Sequence, residues 1–503
     1  MKPFPTAAWP KTRALLLLPV VLCLQALLLF HNLDLLPAWG DEVFTLQTVA
    51  HPIHEIVPIL QRDIHPPVYY FVLHWWAQLP LPWTGIAALR AFSALTALLC
   101  TWMFDRLWLR RWRWDRRLLA LALFAFSPCL LLYGRMARSY GMQAAVAMLA
   151  ISLLWRWMFH PRESVNRVPP AFAAVVLLLY THYLPGLAIL SAFSLAAWKR
   201  LGPARVAWFV AAAALAYAPW IVTLAGAMAG WGRATGFQSH YALAGSMAIE
   251  QVLKIGFGLI SMTIGESFSP LALPAVPIAL WMAWRGCRIR TLGRPLWPLI
   301  SLAAAAGYAG AARWVTWPFV AARLLWLLPF LTLAVAIGLT RGRHPFRHLA
   351  TAAILVSFAS SAFFYFRREN FVNLGYVAPV REIAVRIRAE GSARDLVLVD
   401  GYNADANALR LYLGNGVAFF SVMADTAVGA GAAAPAAQAV WVVRNTRDVS
   451  PGRLVSAVEA EACRNRASSQ TLYDPYAAWQ RRALRLVTGA EAPEYFYQVT
   501  VCR

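Results

Sequence analysis

The sequence predicts a polytopic α-helical membrane protein of about 11 transmembrane helices with a small α/β domain at its carboxy-terminal end. Three observations carry that reading. Of the 503 residues, 60% are hydrophobic and only 14% are charged, well below the quarter or so of charged residues usual in soluble domains. Apolar runs recur from Leu15 to Phe366, many of them near the roughly 20 residues that cross a bilayer. A chain in lipid must satisfy its backbone polar groups internally, which helices do. After Phe366 the long apolar runs stop and short strand-like and helix-like segments begin.

The basic residues order the spans. The formal net charge is +23, but the lysines and arginines cluster in short loops between apolar runs, where the positive-inside rule puts them. No basic face on a soluble domain points to nucleic acid, so a nucleic-acid partner is excluded. The basic loops are the amino terminus, Asp105–Arg117, His160–Arg167, Trp198–Arg205, Arg285–Arg294 and Arg341–His348. Two apolar runs lie between successive basic loops, so each pair returns to the same, cytoplasmic side. Arg111 and Arg343 fall on that side. The first run follows Lys2, Lys11 and Arg13 with no small-residue cleavage site after it, and reads as an uncleaved span.

The other loops face outward and hold most of the histidines and acids near spans. They are the first outer loop (residues 31–83), "YGRMARSYG", "THYLPG", a long segment from Gly226 to Pro270, and "ARWVTWPFVAAR". Within the first, "VYYFVLHWWAQL" is too short to cross comfortably and reads as an interfacial helix with Trp and Tyr at headgroup depth, His74 facing the headgroups. The next true span runs from about Thr84 to Phe104.

The transmembrane part is expected over residues 1–369 and an extracytoplasmic α/β domain over 370–503. In the latter, "DLVLVD", "AVWVVR" and "YFYQVTVC" read as strands, "ADANALRLYL" and "RLVSAVEAEACRN" as helices, and the Ala/Gly run "AVGAGAAAPAAQA" as a loop. Cys23, Cys100, Cys129 and Cys287 lie in or beside spans and read as inert. Cys463 and Cys502 fall in the outer domain, where an oxidising compartment lets them pair.

One stretch resists a purely structural account. "RDIHPPVYYFVLHWW" (Arg62–Trp76) opens with an acid, a histidine and two prolines, although a span gains nothing from Asp63 or His65. Upstream, "WGDE" supplies Asp41 and Glu42. Read singly, Asp41 caps a helix and Asp63 is solvated. Read together, acids near a membrane interface are costly unless solvated, paired or used. "GDE" after the first span, followed some twenty residues later by "DIHPPVYY", resembles the GT-C class of membrane glycosyltransferases. More narrowly it resembles the group that includes protein O-mannosyltransferases and the aminoarabinose transferases of lipid A (glycosyltransferase family 39-like). "SPCLLLYGRMARSYGMQAAVAML" and "ARLLWLLPFLTLAVAIGL" continue the similarity. It is best over roughly the first 200 residues, weaker to about residue 370, and absent beyond. The chain departs from the pattern after the prolines, where Val68, Tyr69 and Tyr70 replace the mannosyltransferases' Leu-Gly-Lys. It departs before them too, where Ile64 and His65 replace the Glu-Lys of the aminoarabinose transferases.

The resemblance implies a sugar donor on a polyprenyl monophosphate, such as undecaprenyl phosphate, and a lipid, glycan or protein acceptor at the outer face of a bacterial inner membrane. The chemistry needs a base for the acceptor hydroxyl and cations or dipoles for the phosphate. Position and resemblance make Asp41 the general base, with Glu42 orienting it or the acceptor. Asp63 and His65 could bind the acceptor, polarise the phosphate or ligate a divalent metal ion, whose need stays open. The prolines remove backbone donors and turn Asp63 into a cavity. Arg135, Arg138 and Arg323 are candidates for the carrier phosphate, with snorkelling to headgroups as the plain alternative. Tyr140 follows in the same motif, and His182 in "THYLPG" sits at the outer edge of two spans. Arg90 is expected to hold the loop acids in place. Glu266 and His240 are weaker candidates.

The rival class is a transporter or flippase for a lipid-linked or small solute. Transporters place polar groups near the bilayer midplane, often on broken helices in repeated halves. Here the ionisable groups cluster at one interface and no halves match, which favours the enzyme.

Overall fold

The computed structural model describes residues 11–63, 65–159, 164–233, 247–288, 321–340, 346–400, 403–414, 416–421, 437–445, 459–460, 463–464, 466–488 and 494–503. Contacts divide them into two units. The first holds the residues up to Leu33 and from Thr48 to Phe363. The second joins Asp34–Gln47 to Phe364–Arg503.

The first unit is helical. In chain order its helices are α1 (Lys11–Phe30), α2 (Gly40–Ala50, divided between the units), α3 (Ile53–Gln61), α4 (Val68–Ala77), α5 (Gly85–Met103), α6 (Trp114–Ala125), α7 (Pro128–Gly134) and α8 (Tyr140–Phe159). There follow α9 (Ser164–Thr181), α10 (Tyr183–Leu201), α11 (Pro203–Arg233), α12 (Met247–Ile264), α13 (Ala275–Arg288), α14 (Leu328–Thr340) and α15 (Arg347–Arg367). Among the described residues five helices are long and apolar enough to cross a membrane: Gly85–Leu109, Tyr140–Phe159, Pro203–Gly226, Ala321–Thr340 and Arg347–Arg367. The pair α6 and α7, bent by 45°, makes a sixth if it is one span. The chain is thus an integral membrane protein of helical type. The run expected after Arg294 lies outside the described residues, as do His240 and Arg343.

Two differences from the sequence expectation stand out. The Gly226–Pro270 segment, expected as an outer loop, contains the apolar helix α12. Glu250, Lys254 and two glycines break up its hydropathy and hide it from a window scan. His74, expected at the headgroups, is drawn to protein on one side. It is half-buried, and its Nδ1 lies 2.9 Å from the Val49 carbonyl, tying α4 to the end of α2. Helix α4 buries Tyr69, Tyr70 and Leu73 while leaving Trp75 59% exposed, the two-sided character of a helix between protein and lipid.

Small residues let the helices meet closely. A Cβ on Gly286 of α13 would stand 1.9 Å from the Ala334 carbonyl oxygen of α14, and one on Gly338 would stand 2.0 Å from that of Met282. The two glycines make a reciprocal contact in which each backbone lies on the other, the close approach that small residues allow in membranes. At the loop expected on the cytoplasmic side, a fully buried Asp105 receives a bidentate pair from Arg117, Nε to Oδ1 and Nη2 to Oδ2, both at 2.6 Å. A buried carboxylate needs such a partner.

The second unit carries a five-stranded mixed sheet, β1 (Leu396–Asp400), β2 (Ala418–Ser421), β3 (Val440–Asn445), β4 (Ser468–Tyr473) and β5 (Tyr497–Cys502), in the order β2-β1-β3-β5-β4. Strand β1 runs parallel to β2 and β3, and β5 runs antiparallel to β3 and β4. Among the described residues it also carries helices α16 (Val380–Glu390), α17 (Asn403–Leu413) and α18 (Ala478–Thr488). Strands β1, β3 and β5 are apolar runs buried on both faces, as expected of inner strands. Trp441 donates its indole N–H to the buried Asp395 at 2.9 Å. Cys463 and Cys502 form a disulfide with Cα atoms 5.1 Å apart, tying the end of β5 back into the domain. The helix expected over "RLVSAVEAEACRN" falls largely outside the described residues.

Candidate active site

The exit of α1 is where the site begins, and two buried arginines hold it. A helix ends with carbonyls that lack intrahelical partners. Arg135 supplies donors to two of them, Nη1 to Leu28 at 2.7 Å and to Leu29 at 2.9 Å, and through Nη2 to the Asn32 carbonyl in the following turn at 2.6 Å. Asn32 takes φ +49°, a turn conformation Asn tolerates. Arg90 on α5 donates to the Leu33 carbonyl at 2.8 Å. Both side chains are at most 3% exposed, so neither snorkels to headgroups. They fix where the chain leaves α1 on its way to Asp41.

Asp41 and Glu42 occupy the first turn of α2. The helix begins on the Trp39 carbonyl, which accepts from the Glu42 N–H at 2.9 Å and the Val43 N–H at 3.1 Å. Carboxylates are favoured there by the helix dipole. Asp41 is half-buried and Glu42 fully buried, and the Thr45 hydroxyl donates to the Asp41 carbonyl at 2.9 Å.

A second cluster lies wholly in the first unit. His65 Nδ1 is 2.9 Å from an Asp63 carboxylate oxygen, and His65 Nε2 is 2.7 Å from Arg138 Nη2. Arginine can only donate. In this arrangement Nε2 faces the guanidinium and Nδ1 faces the Asp63 carboxylate. His65 thus bridges an acid and a guanidinium. Arg138 also reaches the Tyr70 hydroxyl at 3.4 Å, and the His65 and Tyr70 rings meet edge to face. The two prolines at 66 and 67 start α4 directly after His65, which places Tyr70 beside it.

His182 and Arg323 belong to the same neighbourhood. His182 is the residue between α9 and α10, 7% exposed, and its Nδ1 has no hydrogen-bond partner among the described residues. Burial, then the charges of Arg323, His65 and Arg138, hold its pKa well below the ordinary histidine value. Two guanidinium groups thus act on one neutral imidazole, which makes the surroundings electropositive. Arg323 lies in the helical turn Ala321–Leu324, which Gln143 of α8 holds by donating to the Ala322 carbonyl at 2.7 Å. Tyr140 opens α8, two residues after Arg138, and meets Tyr133 edge to face.

Glu266 sits one step further along. It is 1% exposed and accepts from Ser261 at 2.7 Å and from the Tyr133 hydroxyl. Burial pushes its pKa up to about 6, against the two hydroxyl donors. Through Tyr133 it is linked by ring contact to Tyr140.

A divalent metal was one expectation for Asp63 and His65. Among the described residues no three His, Cys, Asp or Glu side chains gather as a metal set. The second ring nitrogen of His65 is already engaged by Arg138, whose charge would repel a cation there. The pair does not fit a metal ion.

No family model and no curated protein sequence matches the chain. In structure it is similar to ArnT from Cupriavidus metallidurans in the apo state, at TM-score 0.51 and 13% identity over 98% of each chain. It is similar also to the apo oligosaccharyltransferase of Archaeoglobus fulgidus, at TM-score 0.51 and 11% identity over 98% of this chain and 89% of that one. Both are GT-C glycosyltransferases. The chain has a GT-C fold. On that GT-C frame, the structure brings together five residues singled out from the sequence: Asp63, His65, Arg138, His182 and Arg323. It sets Arg135 apart on the end of α1. Tyr70, Tyr133 and Ser261 were not singled out as site residues. Tyr70 stands two residues past Pro-Pro in a helix of aromatics, and only its contact with Arg138 distinguishes it.

Proposed function

We propose that the chain is an inverting glycosyltransferase that moves a sugar from a polyprenyl-phosphate carrier to a hydroxyl acceptor on the extracytoplasmic face of the membrane. The single observation that carries the reading is the Asp63–His65–Arg138 chain, with Arg323 acting on the same buried neighbourhood. It supplies donors and positive charge for an anion in a membrane protein of GT-C fold. The bacterial inner membrane is the setting we assign, with the second unit on the periplasmic side.

In the proposed reaction the acceptor oxygen attacks the anomeric carbon from the face opposite the carrier. The bond between that carbon and the phosphate oxygen breaks as the new glycosidic bond forms, with inversion. Asp41 takes the acceptor's proton and Glu42 orients it. The electron pair of the broken bond leaves on the phosphate, whose charge Arg138 and Arg323 stabilise. Arg135 and Arg90 position the end of α1. Tyr140 and His182 line the donor side, and the neutral state of His182 spares the site a further charge. The acceptor, whether lipid, glycan or protein, is bound beside Asp63.

Asp41→Asn keeps size and hydrogen bonding while removing the basic carboxylate. Turnover with a polyprenyl-phosphate sugar should fall by about two to four orders of magnitude, the range for a positioned proton acceptor. Donor binding should change little. Wild-type turnover in Asp41→Asn would sink the assignment.

A further inference from the structure

We infer that Tyr412 and Arg381 of the second unit are positioning residues for Asp41, clasping the backbone just ahead of it. The inference rests on the proposed role of Asp41 as base.

Three elements of the carboxy-terminal domain reach the same six residues. The Tyr412 hydroxyl, near the end of α17, accepts from the Ala38 N–H at 2.7 Å. Arg381, in the first turn of α16, donates through Nη1 to the Asp34 carbonyl at 2.8 Å and through Nη2 to that of Leu36 at 3.5 Å. Tyr376 packs edge to face on Trp39 with ring centroids 5.4 Å apart. The two clasping side chains also hold each other. Arg381 Nη2 is 3.4 Å from the Tyr412 hydroxyl, and its guanidinium lies 5.2 Å above the tyrosine ring, within cation–π range.

The contacts with Asp34, Leu36 and Ala38 are made to backbone, so they set position rather than read a side chain. The position is transmitted at once. Ala38 precedes Trp39, whose carbonyl accepts the first two N–H groups of α2. Fixing Ala38 and Trp39 therefore fixes the turn that carries Asp41. A base must stand within hydrogen-bond reach of the proton it takes, and a misplacement near 1 Å can cost about a hundredfold in rate. The carboxy-terminal domain thus contributes directly to the geometry of the proposed base.

The test uses the full-length protein in nanodiscs. Tyr412→Phe removes one oxygen and keeps the ring under Arg381. Ala38 amide hydrogen exchange should quicken at least about tenfold. The kcat for transfer should drop about five- to tenfold, the worth of one lost hydrogen bond, with the donor KM within twofold. Arg381→Ala should act in the same direction and Arg381→Lys should restore part of the loss, since a lysine still reaches a carbonyl. Thiol counting on each variant, with the Cys463–Cys502 disulfide retained, reports that the domain has folded. Unchanged exchange in both Tyr412→Phe and Arg381→Ala overturns the clasp. Faster exchange with wild-type kcat overturns its positioning role. A wild type that transfers no sugar overturns the reading of function instead, and the clasp then stands or falls on exchange alone.

Discussion

Glu266→Gln isolates the energetic cost of one buried acid. Glu266 is 1% exposed, its Oε1 accepts from Ser261 and Tyr133, and Oε2 has no hydrogen-bond partner among the described residues. Burial raises its pKa from 4.5 to about 6. The folded state therefore holds the proton more tightly than the unfolded chain. The stabilising contribution is complete below about pH 4.5 and is lost as pH rises through about 6. A difference of about 1.5 units, at 1.36 kcal/mol per unit, amounts to about 2 kcal/mol at pH 8. Glutamine keeps the oxygen that accepts from the two hydroxyls and never ionises. It should resemble protonated Glu266 at pH 4.5 and gain about 2 kcal/mol on the wild type between there and pH 8. Thermal unfolding followed by tryptophan fluorescence at pH 4.5, 6 and 8 reads the difference between the two proteins, a relative shift of a few degrees. His182 has the opposite sign. Its depressed pKa makes stability fall as pH drops below the ordinary histidine value. Because both proteins carry His182, that slope cancels in the comparison. A Gln-minus-Glu difference that stays flat from pH 4.5 to 8 would refute the account of Glu266.

Two further predictions are simpler. Arg138→Ala should weaken binding of a polyprenyl-phosphate donor by roughly ten- to a hundredfold, the worth of a charge-assisted hydrogen bond; titration of nanodisc-held protein checks it, and unchanged affinity would remove Arg138 from the phosphate. Gly286→Ala should lower the melting temperature even though alanine favours a helix by about 1 kcal/mol, because its Cβ would stand 1.9 Å from the Ala334 carbonyl oxygen and must drive α13 and α14 apart at about 1–3 kcal/mol or more; a variant as stable as wild type would mean the helices do not meet there.

Much of the fold was legible in the sequence because lipid imposes a harsh rule on backbone polar groups. Apolar runs mark α5, α8 and α15 plainly. The rule fails where polar residues interrupt a helix, as in α12 with Glu250 and Lys254. In the second unit, β1, β3 and β5 were readable as buried apolar runs. Strand β4, "SSQTLY", is largely exposed at the sheet edge, so its residues lack the apolar signal that betrays a strand. For the site, residue types and local motifs gave Asp63, His65, Arg138, His182 and Arg323. Their grouping was not readable, since 73 residues separate His65 from Arg138. The clasp on Ala38 is further out of reach, spanning 374 residues. Nothing local in "LRLYLG" sets Tyr412 apart from a tyrosine that merely packs.

Arg135 and Arg138 show why residue type alone does not assign a role. They stand three apart in one motif and both are buried, yet their partners differ in kind. Arg135 donates to carbonyls fixed at the end of α1. Those acceptors lie at a helix end and in the turn after it, and removing Arg135 from them would strand buried backbone groups. Arg138 reaches the His65 ring. An imidazole nitrogen is a weaker partner for a guanidinium than a phosphate oxygen, since charge-assisted hydrogen bonds are roughly twice as strong as those to neutral acceptors. On the proposed reading a phosphate that reaches this cluster displaces His65 from Arg138 at a net gain, whereas displacing the carbonyls from Arg135 leaves buried backbone groups unsatisfied. On the proposed reading, Arg138 is therefore the arginine for the phosphate and Arg135 the one that holds the chain.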